Sequence, residues 1–321
     1  MVERRPTALA TKEGGKDSYL IQPLRDRERI HLLLEAERAY AAYALAQLEP
    51  DLFAQSEWWL AAGDGSEALL MHSRGGPGNA LVAFGDPHAL PALFSLHPGP
   101  VQTFATFRED HLGAMQRFFL LARDQPMLRM MVTAEAFAAA EPGEEETEGV
   151  VEVRRLSDGD IPEIERLYSS EGSRFYYRPR HIDEGVYFGV FSDQRLVAVA
   201  GTHAVSRANA IAVVGNVFTH PLHRNHHFAV RATGAVTETL LQTCPQVVLT
   251  VDPLNTAAVR AYSRLGYREE CRLIECGVTR KEMLGLGALT RRLLARWRGR
   301  TQGGELVTLA SDGHEDDGLR H

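Results

Sequence analysis

The sequence predicts an α/β (α+β) protein: a mixed, largely antiparallel central sheet flanked by helices, preceded by a second, N-terminal α/β domain. Three observations carry this prediction. Residues 211–219 are β-branched and apolar, His220-Pro221 breaks the run, residues 228–242 continue in helical phase, and 246–252 return as a buried strand. Two further apolar runs, 185–191 and 196–204, flank Ser192-Asp193-Gln194 and read as an antiparallel hairpin. Residues 141–149 hold five Glu with Pro142, Gly143 and Gly149, a stretch that repels itself and buries nothing, and so reads as a linker between two halves.

Taken in order, residues 1–18 are charged and loose. Residues 26–48 carry a helical apolar pattern with Asp26 placed as its cap. Short strands follow at 58–62, 68–72 and 80–84, divided by Gly-Asp-Gly and Gly-Gly-Pro-Gly turns. Helical segments at 87–96 and 109–122 and strands at 101–107 and 128–133 complete a first half spanning 19–140. Its element order loosely repeats that of the second half, which makes it an accessory α/β domain, a worn copy of the same fold or another α/β unit. After the linker, 151–155 is a strand, and Ser157-Asp158-Gly159-Asp160 before Ile161-Pro162 is a capped helix start. The second domain spans 150–278. A helix is expected at 284–297 within the segment 279–300, and 301–321 form a polar, mobile tail.

With 321 residues and 44% hydrophobic content the chain supports two packed domains. No apolar run approaches the roughly 18 residues of a membrane span, and the first residues hold no apolar signal core, so a cytoplasmic protein is expected. Cys244, Cys271 and Cys276 form an odd, unpatterned set without Cys-x-x-Cys, which fits buried thiols in a reducing compartment. A net charge of -7 argues against a nucleic-acid partner. The basic cluster Arg291, Arg292, Arg296, Arg298 and Arg300 reads as the solvated face of a helix. His223, His226 and His227 invite a metal reading, but no neighbouring Cys or carboxylate completes a ligand set, so no metal is expected.

The turn His223-Arg224-Asn225-His226-His227-Phe228-Ala229 opens the helix after the 211–219 strand. A helix N-terminus offers unpaired N–H groups and positive dipole to an anion, so a phosphorylated ligand is implied. Downstream, Asn255, Ala258, Tyr262, Gly266 and Tyr267 follow the second strand in the pattern Asn-x-x-Ala-x-x-x-Tyr-x-x-x-Gly-Tyr. Through these residues the segment 151–275 resembles the GNAT acyl-CoA N-acyltransferase superfamily, in its branch related to glycine N-acyltransferase. Arg224 and Ala229 match the first and sixth positions of the family's pyrophosphate loop; His227 stands where that loop has glycine.

The resemblance implies acetyl-CoA as cosubstrate and an amine acceptor, a small molecule or a peptide, joined in a ternary complex by direct attack. It implies that Arg224 and the backbone N–H groups of Asn225, His226, His227, Phe228 and Ala229 hold the pyrophosphate, and that the backbone of Val217 and Thr219 pairs with the pantetheine arm. It implies further that Asn255, besides capping its helix, reaches the pantetheine, and that Tyr262 protonates the leaving thiolate. Every matched residue follows Val151, so the second half is expected to bind the cofactor by itself. The 211–219 strand carries no carboxylate, so the base is open among Asn216, His203, Asp183 and Glu184. The aromatic and basic stretch 168–180, with Phe175, Tyr176, Tyr177, Arg178 and Arg180, is expected to wall the acceptor site and would suit a carboxylate-bearing amine. A homodimer is compatible with all of this. The alternative is a CoA-binding sensor or interaction protein without catalysis, suggested by the altered loop.

Overall fold

The computed structural model describes residues 16–63, 65–74, 79–123, 125–139, 150–172, 179–282, 286–300 and 302–310. The stretch 141–149 expected as an acidic linker, the aromatic residues Phe175, Tyr176 and Tyr177, and Arg178 lie outside them. In chain order the elements are β1 (Lys16–Pro23), α1 (Arg27–Glu35), α2 (Ala42–Ala46), α3 (Pro50–Phe53), β2 (Ser56–Gly63), β3 (Ser66–Ser73), β4 (Ala80–Gly85), α4 (Leu90–Leu96), β5 (Gln102–Phe107), α5 (Leu112–Phe118), β6 (Phe119–Leu121), β7 (Gln125–Thr133), β8 (Val151–Arg155), α6 (Ile161–Ser169), α7 (Pro179–Glu184), β9 (Phe188–Ser192), β10 (Arg195–Ser206), β11 (Ile211–Thr219), α8 (Phe228–Leu241), β12 (Gln246–Val251), α9 (Thr256–Arg264), β13 (Arg268–Arg280), α10 (Leu286–Arg298) and β14 (Glu305–Ala310).

Two compact units are interleaved along the chain: Met1–Asp26, Gln55–Asp124 and Ile274–His321 form one, and Arg27–Ala54 with Gln125–Leu273 form the other. In the first unit β1, β2, β3 and β4 are antiparallel neighbours, β4 pairs in parallel with β5 after the crossover through α4, and β5 pairs antiparallel with β13. The second repeats this order: β8, β9, β10 and β11 are antiparallel, β11 pairs in parallel with β12 through α8, and β12 pairs antiparallel with β7. The two orders match strand for strand, which accounts for the loose repeat in the sequence.

The second unit therefore takes two pieces from before the linker, which differs from a boundary at 141–149. The reason is burial. Leu128, Met130 and Val132 of β7 lie in the same core as Val247 and Leu249 of β12 and Phe228 of α8. Segment 27–54 docks through buried Tyr40, Ala42 and Leu45 and through polar contacts: Ser206 Oγ donates to Glu49 Oε1 (2.6 Å) and Asn209 Nδ2 to the Leu45 carbonyl (3.0 Å). The single helix expected over 26–48 is broken into α1 and α2, because the Ala-rich half is buried and follows its docking surface rather than the axis of α1.

Two other expectations give way. The tail expected to be mobile supplies β14, which pairs antiparallel with β1 from Lys16↔Ala310 to Ile21↔Glu305, so residues 16–18 are strand as well. The basic face of α10 is used in part: Arg291 Nε donates to the Ser95 carbonyl (2.9 Å) and Arg292 Nε to that of Leu96, satisfying the last carbonyls of α4. The hairpin is present, with Asp193 (φ 48) and Gln194 (φ 67) forming the doubly left-handed two-residue turn that matches strand twist.

Candidate active site

Strands β11 and β12 run side by side only from Ile211↔Gln246 to Val214↔Leu249. Beyond that, β11 continues against β10 and β12 against β7, so a gap opens between Gly215–Thr219 and Thr250–Val251. The cause is local. Between Gly215 and Phe218, two residues of β11 face one of β10, and Asn216 takes a φ of 53 at this bulge. Val217 and Thr219 lie on this diverging edge, where their backbone is free of β12. The turns that follow the two strands expose Leu222 (84%) and Leu254 (85%) at the same end of the parallel pair, the end where α/β sheets receive ligands.

The turn into α8 holds two left-handed residues, Asn225 (φ 67) and His227 (φ 57, ψ 14), the latter directly before Phe228. His227 thus adopts the backbone conformation that glycine takes without strain. No side chain caps α8, and Phe228 and Ala229 begin the helix. The Phe228 ring is buried in the core. His226 stacks on that ring (5.7 Å) and His223 lies 6.4 Å from it. The Arg224 guanidinium pairs with Glu171, which holds it to the end of α6. Among the described residues, no three metal-ligating side chains converge.

Asn255 caps α9, its Oδ1 accepting from the Ala258 N–H (3.1 Å). Tyr262 lies two turns on, 7% exposed, and burial pushes its phenol up to about 12. The group therefore stays protonated near neutral pH. Gly266 ends the helix at φ +89, and a Cβ there would run into the Ala136 carbonyl, so both conformation and space demand glycine. Tyr267 donates or accepts at Thr237 Oγ1 (2.8 Å) in the core. A cavity of about 480 Å3 behind α9, between Leu128 and Val259, includes none of the residues at the strand divergence.

The sheet face opposite α8 carries residues that the sequence did not single out. Arg129 on β7 faces Thr250 on β12, is wholly buried, donates to Thr250 Oγ1, and lies 5.1 Å over the ring of Tyr43 from α2. The Tyr43 hydroxyl meets His203 Nδ1 (2.6 Å), His203 Nε2 meets Asn216 Oδ1 (3.1 Å), and Asn216 Nδ2 donates to Tyr187 Oη (2.9 Å), which donates to the Thr202 carbonyl (3.0 Å). The His203 ring rests on Gly215, where any Cβ would collide with it. His203 is an exposed residue, although Tyr43, Asn216 and Gly215 pack around its ring. That desolvation holds His203 below its ordinary value; the Asn216 hydrogen bond opposes the shift and the Arg129 charge reinforces it. Of the four residues considered as bases, the structure brings Asn216 and His203 to the divergence. Asp183 instead accepts from the Asp158 N–H (3.1 Å), beside the cap of α6, and Glu184 ends α7. One signal was legible for Arg129, a lone charge inside an apolar strand pattern; Tyr43 had none.

The structure resembles a GCN5-related N-acetyltransferase from Sphaerobacter thermophilus (TM-score 0.51, 16% identity, 81% of this chain and 95% of that one). It also resembles a Drosophila protein (TM-score 0.56, 13% identity, 81% and 98%). A third solved structure, an acetyltransferase of the GNAT family from Novosphingobium aromaticivorans, shares 23% identity over 66% of this chain and 88% of its own, at a TM-score of 0.47. At these identities the likeness is one of fold. No curated protein matches the chain. Residues 153–267 match the model of the acetyltransferase (GNAT) family, and they enclose the diverging strands, the α8 turn and the Asn255–Tyr262 helix. Residues 153–267 of this chain thus form a GNAT acetyltransferase segment.

Proposed function

We infer that the second unit moves an acetyl group from acetyl-CoA to a primary amine by direct attack within a ternary complex, without a metal. The observation that carries this reading is the divergence of β11 and β12 after Val214 and Leu249, with the α8 N-terminus at one end and Tyr262 beside it. The N–H groups from Asn225 to Ala229 would receive the pyrophosphate with Arg224, the free edge at Val217 and Thr219 would pair with the pantetheine amides, and Asn255 would add a contact from its cap position. Tyr262, kept neutral by burial, would donate its proton to the leaving thiolate. The first unit has the same strand order, without a comparable phosphate turn among its described residues, and we assign it as a degenerate accessory copy. The three free cysteines suit a reducing, cytoplasmic setting.

The non-catalytic reading has two observations in its favour: Arg224 is engaged by Glu171, and His227 occupies the glycine position of the turn. Calorimetric titration with CoA, followed by a thiol-release assay with acetyl-CoA across a panel of primary amines, separates the two. Thiol release that depends on amine supports transfer; binding without turnover of any amine supports the sensor; no binding removes both.

A further inference from the structure

We propose that Tyr43 and His203 together are the proton acceptor of this site, Tyr43 Oη taking the proton of the acceptor amine while handing its own to His203 Nδ1. The assignment rests on the acetyl-transfer reading above and supplies the base that β11 itself lacks.

The hydrogen-bond directions fix the arrangement. Asn216 Nδ2 donates to Tyr187, so Asn216 turns its Oδ1, a pure acceptor, toward His203. His203 must then carry its proton on Nε2, which leaves Nδ1 as a lone pair, and the 2.6 Å contact there is a donation from Tyr43 Oη. The phenol is thereby poised to lose its proton to the imidazole in the same event in which it gains one. The buried Arg129 guanidinium over the Tyr43 ring favours negative charge developing on that phenol and disfavours a resting imidazolium. The groups facing His203 thus include Tyr43 from α2, Asn216 from β11 and the Arg129 charge from β7.

Position matters as much as chemistry. Gly215 is the first residue of β11 beyond its last pair with β12, and the His203 ring lies on it. Ala212, Val214 and Leu249 turn to the core shared with α8 and Tyr262, whereas Arg129 and Thr250 occupy the alternate positions and so the opposite face. A thioester held in the gap would have the Tyr262 acid on one face and the Tyr43–His203 pair on the other. As the nitrogen bonds to the thioester carbon, its N–H bond breaks toward Tyr43, the Tyr43 O–H proton passes to His203, and the C–S bond breaks with the Tyr262 proton going to sulfur. Imidazolium and Tyr262 phenolate remain, and exchange with solvent restores both. Tyr43 comes from segment 27–54, so this site includes residues from before the linker.

The test combines kinetics and NMR on the full-length protein. Using acetyl-CoA and an amine that the wild type accepts, kcat is measured against pH for wild type, Tyr43→Phe and His203→Gln, with CoA affinity measured alongside. The expected result is an acid limb in the wild type set below the ordinary His value, a loss of about 10²-fold or more in kcat for Tyr43→Phe at unchanged CoA affinity, and disappearance of that limb in His203→Gln. An acid limb unchanged in both variants of an active enzyme overturns the base and leaves the transfer reading intact. A wild type that binds CoA but acetylates no amine overturns the transfer reading and the base with it. Independently of folding in the variants, the 15N shifts of the wild-type His203 ring should show Nε2–H and a bare Nδ1; an Nδ1–H tautomer overturns the relay whatever the kinetics.

Discussion

Arg264 Nη1 donates to Nδ1 of His227 at 2.8 Å, tying the last residue of α9 to the left-handed residue that opens α8. The imidazole in the glycine position is therefore anchored across the turn, and Arg264 brings a second cation to it. Two effects compete when His227 is replaced by glycine. Relief of left-handed strain is worth about 1 kcal/mol, and a freed Arg264 can turn to phosphate, whereas the anchor itself is lost. We expect His227→Gly to bind CoA at least as tightly as wild type and Arg264→Gln to bind it severalfold more weakly, by calorimetry. Affinities unchanged in both variants would mean that this turn does not face the phosphates.

Tyr262→Phe removes only the hydroxyl of a side chain whose ring packs in the core, so stability should change little. As the proton donor it should lower kcat by about 10²–10⁴-fold while CoA affinity stays within about twofold. With its phenol near 12, the donor stays protonated through ordinary assay conditions, and the wild-type profile should show no alkaline fall from this group below about pH 11. An intact kcat in the variant assigns the ring to packing.

Asn255→Ala and Gly266→Ala separate a cap with a second duty from a cap without one. Losing the Asn255 bond to the Ala258 N–H should cost about 1 kcal/mol of stability, together with weaker CoA binding. A Cβ at Gly266 meets both a φ of +89 and the Ala136 carbonyl, so about 2–3 kcal/mol should be lost with the ligand site unaltered. Thermal melts and CoA titrations of both variants check this; unchanged affinity in Asn255→Ala would reduce that residue to a cap.

A chain beginning at Gly149 should fail to fold cooperatively. It lacks Leu128, Met130 and Val132, all nearly fully buried, at about 1.5–3 kcal/mol each, against a domain stability of about 5–15 kcal/mol. It also lacks the partner strand of β12. Circular dichroism through a melt decides the point, and a sharp transition would show that β7 is dispensable.

The first unit should lose stability on mild acidification. His72, donating to the His97 carbonyl (3.0 Å), and His97, donating to Glu305 (2.6 Å), are both held below the ordinary 6.5, chiefly by burial. The unfolded chain then takes up protons that the folded unit refuses, so stability is complete above about pH 6.5 and falls as pH drops below it. All three tryptophans lie in this unit, and Trp59 stacks on His97 at 3.4 Å, so tryptophan fluorescence in denaturant at pH 8 and pH 5.5 reports it. Equal midpoints would contradict the burial argument.

The β11–α8–β12 crossover, the hairpin turn at Asp193-Gln194, the Asn255 cap and the Gly266 stop were legible in the sequence because each is fixed by neighbours within a few residues: apolar periodicity, a φ requirement, a side chain reaching its own helix. The resemblance to the family's loop marked position 227 as a glycine position, and the structure gives His227 the left-handed conformation that goes with it. The tertiary structure decided what depends on distant partners. It gave β7 and segment 27–54 to the second unit, turned the tail into β14, pinned Arg224 to Glu171, and brought Tyr43, Arg129 and His203 together over Gly215. Strand partners and buried polar relays are chosen by surfaces that exist only once the sheet has formed, and residues 43, 129 and 203 carry no local pattern that links them.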